Sequence, residues 1–345
     1  MSNPFNHNLP NQVSAITDAI GKKPRIVQCI QALNEEALIE PCMLQLYDEV
    51  DQIIVIEGAV QNKVESGQAT PDGHSLDRTA DIIKEVKANK DPDNKILFVQ
   101  IDRPWKDLEE LKSTFFQYMS IGDWMLITDA DEFIMPSVVD DLRQAISAEP
   151  FATEFVPAGF YHFWRDAWHM RRPSGDWGQQ HQRFIKFQPG LQYVNHPVAR
   201  DAEGVCTYFD PRYLPRRFVL DSFVLYHYSY CKDSDQDIAE KKAFYDKELG
   251  QQKHADVGSY ARGGQTDEYL GQTEDLSTVL RFNGEHPPIM QGHPFVTRRD
   301  SFLADKTLDD YITAAPYNLD KIPLIWIYAT EGRKPFDTFY QTVQL

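Results

Sequence analysis

Short apolar runs alternate with stretches of helical periodicity along the first 150 residues of the chain. The runs predict buried strands at residues 25–33, 52–56, 95–101 and 124–127. Between and after them, apolar residues recur every three or four positions, which predicts helices at residues 37–47, 77–90, 107–121 and 137–148. Strands that alternate with helices are joined by right-handed crossovers and lie parallel. The pattern therefore predicts an α/β fold with a mostly parallel sheet flanked by helices.

The pattern changes after Pro150. Aromatic-rich strands are expected at residues 154–163, 182–187, 191–195 and 218–228, with a loop at 165–180, and helical signals return at 235–249 and 309–313. One further apolar strand is expected at 324–329. We therefore divide the chain into an N-terminal arm (1–24), an α/β half (25–150), a mixed α+β half (151–250) and a C-terminal extension (251–345).

Composition excludes several classes of protein. The formal net charge is −17, so a general nucleic-acid or anionic-membrane surface is not expected. No apolar run approaches the ~20 residues that span a bilayer, and the N-terminus lacks the pattern of a signal peptide, which predicts a cytoplasmic protein. The four cysteines lack C-x-x-C spacing and are expected to be reduced core residues.

Three carboxylates follow the apolar run that begins at Trp124: Asp129, Asp131 and Glu132. In an extended chain, residues two apart point to the same side, so Asp129 and Asp131 are expected to aim at one spot. Two carboxylates that close repel each other unless a cation lies between them. Mg²⁺ and Mn²⁺ bind such oxygens together with substrate phosphates, so the tripeptide Asp129–Asp131 is interpreted as a clamp for a metal and a diphosphate.

Ligands of open α/β sheets bind beyond the carboxyl ends of the strands. The residues predicted there are Ala32, Leu33, Asn34 and Glu35 after the first strand and Glu57 after the second. A carboxylate at the second position suits the sugar or base donors of a nucleotide. The sequence contains no glycine-rich phosphate loop, which disfavours a kinase or a dehydrogenase. It also lacks the zinc-protease and serine-hydrolase motifs, which disfavours those two classes.

The order of these motifs resembles family 2-like glycosyltransferases of the GT-A fold. The resemblance lies in QALNEE after the first strand, in WMLITDADEF, and in QRFIK followed by VNH, and it covers about residues 25–245. The family has Glu after the last His, where this chain has Pro197. The resemblance implies a nucleotide-sugar-binding half at 25–150 and an acceptor and metal half at 151–250.

The resemblance also implies roles for single residues. Mn²⁺ or Mg²⁺ would bridge Asp131, and less directly Asp129, to the donor diphosphate, with His227 as a further ligand. Ala130 lies between the two aspartates and is assigned with them to the nucleotide-sugar site. Arg183 and Lys186 are candidates to neutralise the leaving diphosphate. An inverting transfer needs a general base, for which the candidates are Asp176, Asp166, His162 and His196.

The sequence thus predicts a metal-dependent glycosyltransferase that moves a sugar from a nucleotide sugar to an acceptor hydroxyl, with inversion and with a glycan as the preferred acceptor. A modified DNA base is an alternative acceptor. Two further hypotheses are a nucleotidyltransferase, which the acidic NEE after the first strand disfavours, and a catalytically inactive carbohydrate-binding protein.

Overall fold

The structure is a computed structural model, and it describes residues 24–171, 182–188, 191–195, 198–200, 217–231, 279–298 and 340–342. Thirteen strands are present in these ranges: β1 (Ile26–Ala32), β2 (Gln52–Glu57), β3 (Ile96–Val99), β4 (Trp124–Asp129), β5 (Glu132–Phe133), β6 (Glu154–Trp164), β7 (Asp166–Arg171), β8 (Phe184–Lys186), β9 (Gln192–Asn195), β10 (Val198–Arg200), β11 (Arg217–Tyr230), β12 (Val279–Arg281) and β13 (Tyr340–Thr342). The α-helices are α1 (Ile39–Leu44), α2 (Gln61–Glu65), α3 (Thr79–Asn89), α4 (Leu108–Ser113), α5 (Ser137–Ala148) and α6 (Pro294–Thr297), with 3₁₀ turns at Thr114–Tyr118 and Pro288–Met290.

The first four strands form the parallel half of the main sheet, in the order β3-β2-β1-β4. In β1, β2 and β4 the apolar residues are buried on both faces of the sheet, as the continuous apolar runs predict, whereas the two central residues of β3 are partly buried. Helices connect each strand to the next, so the structure confirms the predicted α/β class and the parallel arrangement.

The second half of the sheet is mostly antiparallel. Strand β8 lies between β4 and β6 and is antiparallel to both, while β7 and β12 continue the sheet beyond β6. The long strand β11 pairs in parallel with β6 and antiparallel with β5. Because β12 and β13 both come from the predicted C-terminal extension, the described parts of that extension add strands to the same sheet.

Several predicted elements differ from the structure. The loop expected at 165–180 contains β7 at its start, because the chain turns at Arg165, whose φ is 69°, and runs back antiparallel to β6. The helix expected at 107–121 is α4 followed by a 3₁₀ turn, and the stretch between the second strand and the helix expected at 77–90 contains α2. The elements predicted at 235–249, 309–313 and 324–329, and the arm up to residue 23, lie outside the described residues.

Two apolar layers cover the sheet. One packs α1, α3 and α5 against the sheet and extends into the aromatic side chains of β6 and β11. The other lies under α4 and the 3₁₀ turn that follows it and includes Trp105 and Phe115. In the part of the chain that the structure describes, no helix combines the length and the apolar character that a bilayer crossing needs.

Candidate active site

The candidate site lies where three parallel strands end. In the register of the sheet, Asp129 at the end of β4 pairs with Gln31 of β1, and Glu57 at the end of β2 pairs with Ala32 of β1. The predicted residues after β1, β2 and β4 therefore meet at one edge of the sheet. This is the edge at which open α/β sheets bind ligands.

The two aspartates of the tripeptide have different surroundings. Strand β4 ends at Asp129 and a turn follows before β5, so the alternation expected of an extended chain does not reach Asp131. The Asp129 side chain is 32% exposed, whereas that of Asp131 is 10% exposed. Strand alternation therefore does not place Asp131, because it lies in the turn, and the expectation that both carboxylates bind one cation stays a prediction.

Asp131 faces His227. Strand β5 pairs with β11, and this pairing sets His227 opposite Glu132, one residue after Asp131. The backbone amide of Tyr228 donates to the Asp131 carbonyl at 2.9 Å and fixes the turn against β11. The His227 Nε2 atom lies 3.6 Å from Asp131 Oδ1. The structure thus brings together two of the three residues predicted as metal ligands, although they are 96 positions apart in the sequence.

Arg183 and Glu132 form a buried ion pair beneath the turn. Arg183 Nε and Nη2 donate to the two Glu132 oxygens at 3.0 and 2.6 Å, and both side chains are 3% exposed. Arg183 Nη2 also lies 3.5 Å from Asp129 Oδ2. Glu132 Oε2 accepts from the Asp129 backbone amide at 3.1 Å, so the pair holds the tripeptide in place. Arg183 therefore lies at the strand edge and binds carboxylates of the protein, and its predicted role toward the leaving diphosphate stays a prediction.

Lys112 is a site residue that the sequence analysis missed. It lies on α4 with its side chain 3% exposed, and its Nζ is 3.6 Å from Asp129 Oδ1. Lys112 is four residues after Leu108 and four before Phe116, within the predicted apolar stripe of that helix. A cation within an apolar stripe is the signal that could have identified it.

Burial perturbs the titration of this cluster. Burial lowers the pKa of Lys112, and the Asp129 carboxylate opposes that fall. Burial also raises the pKa of Glu132; the Arg183 guanidinium opposes that rise and the Asp129 carboxylate adds to it. Lys112, Arg183, Asp129 and Glu132 carry two charges of each sign when all are ionised, so the cluster is balanced.

Glu57 lies at the edge of the sheet and holds a neighbouring loop. Its carboxylate is buried and accepts from the Ser75 amide and hydroxyl, both at 2.7 Å, and from Gln100 Nε2 at 2.8 Å. Glu57 Oε2 also lies 3.3 Å from His74 Nδ1. A nucleotide that used Glu57 would have to replace these partners, so its predicted role in donor binding stays a prediction.

The turn after β1 holds the same loop. Asn34 has a positive φ of 55°, and its side chain donates to the Gln68 carbonyl and accepts from the Leu76 amide. The Glu35 amide donates to Thr79 Oγ1 at 2.7 Å. Ala32 is buried and Leu33 is half-buried. The four residues lie at the predicted edge, with the amide and carbonyl groups of Asn34 engaged by the loop.

The structure contradicts the prediction that Lys186 contacts the donor. Strand β8 runs antiparallel to β4 and pairs Lys186 with Trp124, at the opposite end of the strand from Asp129. Five residues at about 3.3 Å each separate the two ends by roughly 16 Å. The direction of β8 therefore carries Lys186 away from the site, and its predicted contact with the donor is wrong.

Of the general-base candidates, Asp166 is enclosed by its neighbours, and His162 has its Nδ1 atom 2.7 Å from His227 Nδ1. Asp166 is buried, accepts from the Trp168 amide at 2.8 Å, and has an oxygen 2.8 Å from His169 Nδ1. A carboxylate enclosed in this way has no access to an acceptor hydroxyl. Asp176 and His196 lie outside the described residues.

Comparison with known proteins gives weak likenesses only. No protein-family model and no curated protein matches the chain. Among solved structures, TarS of S. aureus is 12% identical, with 73% of this chain and 71% of that chain covered and a TM-score of 0.39. Glucosyl-3-phosphoglycerate synthase from Mycobacterium tuberculosis, solved with Mn²⁺, uridine diphosphate and glucosyl-3-phosphoglycerate, is 20% identical over 43% of this chain and 46% of that chain, with a TM-score of 0.28.

A third likeness is to 4-diphosphocytidyl-2C-methyl-D-erythritol synthase from Anaerococcus prevotii, at 13% identity over 53% of this chain and 73% of that chain, with a TM-score of 0.27.

Proposed function

We propose that the chain is a glycosyltransferase of the GT-A type that uses a nucleotide-sugar donor and a divalent cation. The observation that carries the proposal is the pair formed by Asp131 and His227 at the carboxyl end of β4, with 3.6 Å between the carboxylate and the imidazole nitrogen. It is reinforced by the resemblance of WMLITDADEF to the family motif.

The Asp131–His227 pair fits Mn²⁺ or Mg²⁺. A separation of 3.6 Å is longer than a hydrogen bond, and it leaves room for both groups to bind one ion. The described residues contain no group of three or more side chains arranged to hold a metal. Two protein ligands suit a hard cation that takes its remaining ligands from water and from the phosphates of a substrate.

The buried cluster behind this pair would position the donor. Lys112 and Arg183 balance Asp129 and Glu132, and Asp131 lies beside this balanced cluster with its Oδ1 3.6 Å from His227 Nε2. A bound divalent cation neutralises charge on the departing nucleoside diphosphate. Asp131 and His227 would hold it, and the half-exposed Asp129 carboxylate would face the donor.

We further propose that the transfer inverts the anomeric carbon and that the acceptor is a glycan. The strand edge beyond β4 is flanked by β6 and β11, which are rich in aromatic side chains. These side chains are buried in the core, so the acceptor class rests on the sequence prediction alone. The base that takes the proton of the acceptor hydroxyl is left unassigned.

A thermal-shift panel of nucleotide sugars with and without Mn²⁺ tests the proposal, because a ligand that binds only the native state raises the melting temperature. We expect a Mn²⁺-dependent shift with one donor. In Asp131→Asn that shift and sugar transfer should be lost while the fold is kept. Asp81→Asn, a matched change at an exposed aspartate of α3, should behave as the wild type.

Full transfer activity in Asp131→Asn would refute the proposed role of the cation. Incubation with nucleoside triphosphates and a sugar phosphate separates the nucleotidyltransferase alternative, since release of pyrophosphate would identify that reaction. Metal-dependent hydrolysis of a nucleotide sugar would exclude an inactive carbohydrate-binding protein.

A further inference from the structure

We infer that His162 is a positioning residue that orients His227 for the cation. The inference rests on the proposed function, because it assigns a partner to the imidazole that would bind the ion. His162 lies on β6 directly beside His227 on β11, in register within the parallel pairing of the two strands. Its Nδ1 is 2.7 Å from His227 Nδ1.

The distance between the two Nδ1 atoms requires one hydrogen between them. At 2.7 Å two ring nitrogens are within hydrogen-bond range, so one of them donates and the other accepts. A metal binds the unprotonated nitrogen of a neutral imidazole, and the other nitrogen of a ligating His donates its hydrogen to an acceptor that fixes the ring. Here His227 Nε2 faces Asp131, so His227 Nδ1 is the donor and His162 Nδ1 is the acceptor.

The ring of His162 is itself held in place. It stacks on Phe160, two residues earlier on the same strand, with ring centroids 5.3 Å apart and an interplanar angle of 11°. It meets the His227 ring edge-on, at 4.8 Å and 88°. The Arg183 guanidinium carbon lies 5.8 Å from the Phe160 ring centre. Packing against Phe160 and the His227 ring therefore fixes the orientation of His162 Nδ1. Phe160 in turn lies beside Arg183 of the buried charge cluster.

The hydrogen bond to His162 determines which nitrogen of His227 carries the hydrogen. With the hydrogen of His227 on Nδ1, the lone pair of Nε2 points toward Asp131. Removing the acceptor would free the His227 ring to rotate or to place its hydrogen on Nε2, and both changes oppose metal binding. Loss of such an outer partner reduces metal affinity by about 10- to 100-fold.

Three variants separate this role from a purely structural one. His162→Phe keeps a ring for stacking on Phe160 and cannot accept a hydrogen bond. His162→Asn carries a carbonyl oxygen near the place of Nδ1 and can accept. His227→Ala removes the proposed ligand. The affinity for Mn²⁺ alone is measured on the full chain from the loss of the free-ion electron paramagnetic resonance signal.

We expect His162→Phe to weaken Mn²⁺ binding by about 10- to 100-fold, close to the effect of His227→Ala, and His162→Asn to restore most of the affinity. Nitrogen-15 NMR of the wild type with Mg²⁺ should show hydrogen on His227 Nδ1. The inference is wrong if His162→Phe binds Mn²⁺ as tightly as the wild type, or if the wild type carries hydrogen on His227 Nε2.

The NMR arm needs no variant, so it tests the inference even if His162→Phe does not fold. Different results would refute the proposed function and the role of His162. A wild type that binds no Mn²⁺, alone or with any nucleotide sugar, overturns the proposed function together with the role of His162. A wild type that binds Mn²⁺ with unchanged affinity in His162→Phe overturns the role of His162 alone.

Discussion

Replacement of Arg183 by Met should expose the role of the buried ion pair under the turn. Arg183 donates two hydrogen bonds to Glu132, at 3.0 and 2.6 Å, and both side chains are 3% exposed. Met fills a similar volume and carries no charge, so the variant leaves the Glu132 carboxylate buried without its cation. Breaking a buried pair from one side costs about 3–5 kcal/mol of the free energy of unfolding.

The loss of unfolding free energy in Arg183→Met should depend on pH, because a Glu132 side chain that has bound a proton is neutral and is no longer a buried charge without a cation. Arg183 opposes the rise that burial imposes on the pKa of Glu132, so without Arg183 that pKa rises further. Between the ordinary carboxyl value and the raised one, the native state then holds more protons than the unfolded state. The free energy of unfolding of the variant therefore falls as pH rises through this window. We expect a large loss relative to the wild type at pH 8 and a smaller one at pH 5.

Urea unfolding followed by circular dichroism at both pH values measures these differences. Arg78→Met is the matched control, because Arg78 pairs with Glu85 on the surface, and exposed pairs contribute about 0–1 kcal/mol. The double variant Arg183→Met/Glu132→Gln should recover more than half of the loss, since neither charge remains buried alone. An equal loss at pH 5 and pH 8, or a loss no larger than that of Arg78→Met, would refute the reasoning.

Three further predictions concern other parts of the fold. Lys112→Met should lower sugar-transfer activity, measured as kcat/KM at saturating Mn²⁺, by about tenfold or more, because it removes the buried ion pair between Lys112 Nζ and Asp129 Oδ1 at 3.6 Å and leaves the carboxylate without that cation. Gly73→Ala should destabilise the fold more than Gly67→Ala in thermal unfolding: both glycines have positive φ, but an added Cβ lies 2.8 Å from the Pro104 backbone at Gly73 and meets nothing within 4 Å at Gly67. The thiols of Cys29, Cys42 and Cys231 are buried, so Ellman's reagent, followed by peptide mapping, should leave them unmodified until the protein unfolds.

The parallel strands and their edge could be predicted from the sequence because they depend on local pattern. Buried strands need continuous apolar runs, and parallel strands place their carboxyl ends together, so Asp129 and Glu57 are assigned to one edge without tertiary information. The direction of β8 is not local. QRFIK has the same apolar pattern in either orientation, and the antiparallel pairing with β4 separates Arg183 from Lys186.

The buried charges were harder to predict, because their burial depends on where whole elements dock. Lys112 and Arg183 come from different elements, and each has a carboxylate of the same turn within 4 Å. In a sequence, a lysine and an arginine are solvated by default. The contact between His162 and His227 has the same origin, since it arises from the parallel register of β6 and β11 across 65 positions.

The end of β4 at Asp129 explains how one short motif can serve two purposes. If the strand continued through Asp131, the two aspartate carboxylates would lie on one face of the sheet. The side chains of Lys112, Arg183 and His227 would then compete for the same two carboxylates. Because of the turn, Asp129 lies beside Lys112 and Arg183, whereas Asp131 lies beside His227 of β11. Because Glu132 then anchors the turn through Arg183 and through the Asp129 amide, the position of Asp131 is set by a buried, charge-balanced cluster. The negative charge that suits a cation is thereby held at a fixed point of the strand edge before any ligand arrives.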